Sequence, residues 1–247
     1  MASYTCMFCG GERKRSKEHG WSDWDKPILG SADNCHTVIR KVIQVDGIET
    51  EALSKQVQGG LHSVTINQPC ASCNNGWMSE LEEASKPTLE ALFLEYPVHL
   101  TRWHQRVLAR YFAMKSMVFS FIGSDPGTTT FEERDELRRG QDPSNLWRIW
   151  LATQEELLAN REQTQHLIKD RGNDKVAHTE IHFRIHGFLI AVTARSSNHT
   201  KYRFFDTQDA IFRSIHPFDG EYHWPPIAAA DAGVISHIQE RGLNLIA

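Results

Sequence analysis

Cys70-Ala71-Ser72-Cys73-Asn74-Asn75-Gly76-Trp77-Met78-Ser79-Glu80-Leu81-Glu82 is the stretch on which the reading of this chain turns. Its cysteine pair is matched near the amino terminus by Cys6-Met7-Phe8-Cys9, and two Cys-x-x-Cys pairs can supply the four thiolates of a tetrahedral zinc site. Each pair carries polar neighbours that packing alone does not require: Lys17-Glu18-His19 after the first, Asn74 and Asn75 after the second. A zinc ion held by Cys6, Cys9, Cys70 and Cys73 would clamp two distant segments and set those neighbours face to face.

Working outward, Gly10 and Gly11 close the first pair and permit the positive φ that a zinc knuckle tends to demand. Residues 37 to 45 are rich in β-branched side chains, Asp46-Gly47 is a hairpin signal, and Ile48 to Val57 reads as the returning strand. Leu61 to Asn67 alternates and runs into Pro69 and the second knuckle, so strands are expected to feed the metal site from one side. Beyond it, Met78, Leu81, Glu82, Ser85 and Leu89 recur at helical spacing. A helix is predicted from about 74–79 to Lys86, capped by Ser79 with Glu82 and interrupted at Pro87.

Composition changes beyond residue 95. Leu100 to Ile122 carries Trp103, Val107, Leu108, Tyr111, Phe112, Lys115, Val118 and Phe119 at helical spacing and predicts a long core helix. Gly123 to Gly127 ends it, and polar-faced helices are predicted over Phe131 to Arg139 and Thr153 to Arg171, with a strand at Trp147 to Ala152. Further strands are predicted at Thr179 to Arg184, Phe188 to Ala194 and Tyr202 to Phe205. The fold class expected is α+β: residues 1–95 as a zinc-stapled module, and 96–247 as an α+β accessory domain with a long core helix and an antiparallel sheet.

The chain of 247 residues is 40% hydrophobic and can bury a sizeable core. A net charge of -4 gives no global attraction to nucleic acid, so any such contact must come from a local patch. The strip Glu12-Arg13-Lys14-Arg15-Ser16-Lys17 is the candidate, with Arg13, Lys14, Arg15 and Lys17 beside the Glu-His pair. No apolar run approaches the roughly 20 residues of a membrane-spanning helix, and a cytoplasmic location is expected. A reducing compartment favours metal ligation by the paired cysteines and leaves Cys35 as a buried free thiol.

The order Cys-x-x-Cys, basic residue with Glu-His, then Cys-x-x-Cys followed at once by Asn resembles the zinc-containing HNH endonucleases of bacterial and phage type. Cys70 to Glu82 carries the narrower likeness, and the resemblance covers about residues 4 to 90. It implies a ββα-metal fold and a metal-dependent endonuclease that hydrolyses phosphodiester bonds in double-stranded DNA. Carried over, His19 is the general base, Glu18 a ligand of a catalytic divalent ion such as Mg²⁺, and Asn74 or Asn75 a further ligand of that ion. The structural Zn²⁺ stays on the thiolates.

Two departures stand out. Residues 10 to 69 separate the cysteine pairs, so an insertion lies between the halves of the motif. The middle signature residue, which orients the base, has Asn67 and His62 as candidates. Trp21, Trp24 and Trp77 read as cover for a small core rather than as a base-stacking platform. His178, His182 and His186 read as strand residues rather than a metal face. A non-catalytic zinc module binding nucleic acid or protein is the alternative function, and a zinc-stabilised enzyme with its active site in the carboxy-terminal half a more distant one.

Overall fold

The structure, a computed structural model, describes residues 4–11, 14–19, 22–29, 36–45, 48–58, 65–121, 129–155, 163–170, 177–186, 188–196, 205 and 208–240. In chain order the elements are β1 (Glu18–His19), α1 (Lys26–Leu29), β2 (His36–Val45), β3 (Ile48–Gln58), β4 (Thr65–Ile66), α2 (Ala71–Cys73), α3 (Ser79–Phe93) and β5 (Val98–Leu100). There follow α4 (Arg102–Phe119), α5 (Phe131–Arg138), β6 (Trp147–Thr153), β7 (Gln163–Asp170), β8 (Ala177–His186), β9 (Leu189–Ser196), β10 (Arg213–His216), β11 (Tyr222–Trp224) and α6 (Ala232–Glu240). The mixed α+β class is as expected from the sequence.

A seven-stranded sheet runs in the order β10-β6-β9-β8-β7-β2-β3. All its neighbours are antiparallel except β2 and β7, which pair parallel from Ile39 opposite Gln163 to Val45 opposite Lys169. The β2–β3 hairpin, which lies between the two cysteine pairs, therefore extends a sheet whose other strands all come from beyond residue 95. Alternation along β6 and β9 explains how both faces are used. Ile149, Leu151, Leu189 and Ala191 join one core, and Trp150, Ala152, Ile190, Val192 and Ala194 the other. Every residue of β9 is buried, the polar Thr193, Arg195 and Ser196 included.

Helix α4 fills the first face. Thr101 caps it and His104 completes a capping box, and the apolar stripe from Leu108 to Phe119 is buried against α3, β9 and β10. That core is continuous with the amino-terminal segment, running from Cys6, Phe8 and Met78 through Leu89 and Leu108 to Ile149. Trp103, placed in the core stripe by its spacing, is instead 58% exposed, because it sits in the first turn before the stripe reaches the sheet. The second face is covered by Ile235 and Ile238 of α6 together with Phe205 and Phe212.

Three expectations are corrected. Gln163 to Asp170, within the predicted helix Thr153 to Arg171, is the strand β7; hydrogen bonding to β8 on one side and β2 on the other overrides local helix propensity. The helix after the second knuckle begins at Ser79, within the expected 74–79, but Ser79 does not cap it. The helical run starts at Ala71, Cys70 is its N-cap, and Met78 precedes α3 with no side-chain cap. Pro87 lies inside α3, which continues to Phe93 rather than stopping near Lys86. Gly123 to Gly127, Cys35, Trp21 and Tyr202 to Phe204 of the expected last strand fall outside the described residues. Among the described residues, no helix is long and apolar enough to cross a membrane.

Candidate metal centre

The first knuckle is closed by backbone bonds from Cys6 N–H to Gly11 O (3.1 Å) and from Gly10 N–H to Cys6 O (3.0 Å). Gly10 sits at φ +66°, and a Cβ there would meet Phe131 Cζ at 3.0 Å, so both conformation and space call for glycine. Arg134 of α5 braces the turn from outside, its Nε donating to Met7 O at 2.8 Å. The second knuckle is the start of the helical run. Gly76, at φ -102° and ψ -115°, breaks that run into α2 and α3.

The knuckles are joined by an antiparallel ladder: Arg15 opposite Cys70, Glu18 opposite Ile66 and His19 opposite Thr65. Ser16 N–H donates to Pro69 O (3.0 Å) and Ala71 N–H to Lys14 O (2.9 Å). The Asn74 amide adds a side-chain tie, Nδ2 donating to Ser16 Oγ (2.9 Å) and Lys17 O (3.2 Å).

The sulfurs converge. Four sulfurs around one zinc at about 2.3 Å lie about 3.8 Å from one another. Cys6 Sγ and Cys73 Sγ are 3.9 Å apart, Cys9 Sγ and Cys70 Sγ 3.8 Å, and all four Sγ atoms lie within 4.8 Å of one another. These separations are far from the roughly 2.05 Å of a disulfide, and all four are free thiols. Cys6 Sγ accepts the N–H of Cys70 (3.2 Å) and Cys70 Sγ that of Cys73 (3.4 Å), which favours negative charge on sulfur. The contact between the two sulfurs holds the Cys6 thiol far below its ordinary range and pushes Cys73 up. The donor set fits a structural zinc ion: four soft ligands gathered around one point, three of them buried.

Glu18 has a different partner from the expected ion. Its carboxylate is buried, and Oε1 accepts from Lys115 Nζ of α4 at 2.6 Å. The same ammonium reaches Glu82 Oε1 of α3 at 2.5 Å and the His19 carbonyl at 3.3 Å. Ser22 Oγ donates to Glu82 Oε1 (2.8 Å) and lies 3.1 Å from the Tyr111 hydroxyl. Burial works against the Lys115 charge, but Glu18 and Glu82 outweigh it and raise its pKa. Burial pushes Tyr111 up to about 12.

His19 is half-buried on β1, Asn75 is exposed, and Lys14, Arg15 and Lys17 are exposed along the ladder, with the Arg15 guanidinium 4.6 Å over the Tyr4 ring. Asn67 is exposed just after β4, while His62 and Arg13 lie outside the described residues. Trp77 packs edge-on to Phe8 at 4.9 Å and Trp24 stacks on Phe93 at 5.9 Å, so both cover core. Sequence reasoning missed Lys115 and Glu82 as members of the centre. A lysine four residues after Tyr111 on an otherwise apolar helix face was the available signal for the first. Glu82, read only as a cap partner, gave none.

Comparison with known proteins returns no match: no family model, curated protein or solved structure aligns with this chain.

Proposed function

We propose that this chain is an HNH-type endonuclease that hydrolyses phosphodiester bonds in DNA, with a structural zinc ion stapling the site. The observation that carries the reading is the order antiparallel strand pair, knuckle, helix. The pair formed by Glu18–His19 and Thr65–Ile66 leads through Cys70 and Cys73 into a helix, as a ββα-metal module requires. His19 is the general base, its imidazole taking the proton of the attacking water. Lys14, Arg15 and Lys17, exposed on the same ladder, meet the phosphate backbone.

The catalytic divalent ion implied by the resemblance would neutralise charge at the scissile phosphate when bound. The expected ligands do not fit it as a set. Glu18 Oε1 is engaged by Lys115, which leaves the neutral amides of Asn74 and Asn75, a poor set for a hard cation such as Mg²⁺. The same engagement favours the second reading, a non-catalytic zinc module that binds nucleic acid or protein.

Incubation of supercoiled plasmid with the zinc-loaded protein, with and without Mg²⁺, Mn²⁺ or Ni²⁺, separates the two. The nuclease reading expects nicked or linear product that His19→Ala abolishes. Absence of cleavage under every condition, or equal cleavage by His19→Ala, favours the binding module.

A further inference from the structure

Lys115 stands among Tyr111, Phe112 and Val118 on the buried face of α4 and is 1% exposed. Left alone, a charge in that position would be strongly disfavoured by its loss of water. It is not alone: its three N–H donors have three acceptors, Glu18 Oε1 at 2.6 Å, Glu82 Oε1 at 2.5 Å and His19 O at 3.3 Å. The face of the Tyr111 ring lies 5.8 Å from the same nitrogen. Two carboxylates from separate elements thus aim one oxygen each at a single point, and a backbone carbonyl completes the cage. This is the donor chemistry of a hard-cation site.

We infer that Lys115 is the resident cation of this centre, its ammonium filling the position between Glu18 and Glu82 that a divalent ion would otherwise take. Two consequences follow. The native chain takes up no divalent ion at Glu18, whatever its function. Removing the ammonium leaves two carboxylates facing one point, a latent divalent site that opens to solvent through Glu82, whose side chain is 22% exposed.

The test is a Mn²⁺ titration of the full, zinc-loaded chain, with free Mn²⁺ read by electron paramagnetic resonance and Glu18→Gln as control. The wild type is expected to bind no Mn²⁺ that depends on Glu18 below about 1 mM. Lys115→Met is expected to bind one equivalent at least about 100-fold more tightly than wild type, and Lys115→Met with Glu18→Gln to lose it. Wild-type uptake of one Mn²⁺ that Glu18→Gln removes would overturn the inference, and so would a folded Lys115→Met chain that gains no site. If Lys115→Met is unfolded without metal, circular dichroism decides: refolding by millimolar Mn²⁺ supports the inference, and failure to refold sinks it. None of these readouts depends on DNA cleavage, so failure of this inference and failure of the nuclease reading are distinguishable.

Discussion

The ammonium of Lys115 and the carboxylate of Glu18, 97 residues apart in sequence, meet at 2.6 Å with side-chain exposures of 1% and 8%. The contact ties the strand bearing His19 to the central helix of the fold, and through Glu82 to the helix that grows out of the second knuckle. Truncating one partner of such a pair leaves an uncompensated buried charge. Lys115→Ala is therefore expected to lower unfolding free energy by about 3–5 kcal/mol in urea denaturation. A loss below about 1 kcal/mol would show that the pair contributes no more than an exposed one.

The same cluster sets an alkaline limit. Lys115 and Tyr111 both have folded pKa values raised above their ordinary ones, Tyr111 to about 12. A raised folded pKa adds stability that is fully present below the unfolded value and is lost as pH rises through the folded one. The contribution of this cluster is therefore expected to stay level from neutrality to about pH 10 and to fall above it. Tyr111→Phe should remove the tyrosine part of that fall, measured as urea midpoints across the alkaline range.

Gly10 tests the first knuckle. An alanine there carries both the strain of φ +66° and a Cβ pressed to 3.0 Å from Phe131 Cζ. Gly10→Ala is expected to cost about 1–2 kcal/mol and to speed zinc release to a chromogenic chelator. Pairing it with Phe131→Leu should recover only the steric part.

Asn74 ties the second knuckle to the segment before β1 whatever the chemistry nearby. Asn74→Ala loses the bonds to Ser16 Oγ and Lys17 O and should cost about 1–3 kcal/mol by thermal unfolding. Asn74→Asp removes the donor and sets a carboxylate against the Lys17 carbonyl, so it should be worse than alanine. Equal stability of the two variants would contradict the geometry.

The cationic ladder makes a prediction about nucleic acid alone. If Lys14, Arg15 and Lys17 each neutralise one phosphate, the triple alanine variant should flatten the slope of log affinity against log salt by roughly 0.9 per residue, whatever the DNA sequence. Fluorescence anisotropy on unrelated duplexes measures it. An unchanged slope would remove this strip from the interface.

The local parts of this architecture were legible because each rests on short-range rules. The cysteine spacing marks the knuckles, the β-branched run and Asp46-Gly47 mark the hairpin, and the aromatic stripe of α4 marks the central helix. What could not be read locally depends on partners far along the chain. Gln163 to Asp170 carries no strong strand signal of its own and is a strand because β2 and β8 flank it. Glu18 was expected as a metal ligand from the HNH resemblance, but the cations beside it in sequence, Lys14, Arg15 and Lys17, are exposed and its partner is Lys115 from the middle of α4. Likewise, Ser79 satisfies a capping pattern but is the first residue of α3, with Met78 in the cap position and no side-chain cap bond.

Zinc K-edge X-ray absorption on the purified chain tests the central claim most directly. One zinc per chain with four sulfurs at about 2.3 Å is the predicted result. Fewer than four sulfurs in the shell, or a chain that keeps its fold and thiol protection after the metal is stripped, would contradict the zinc staple.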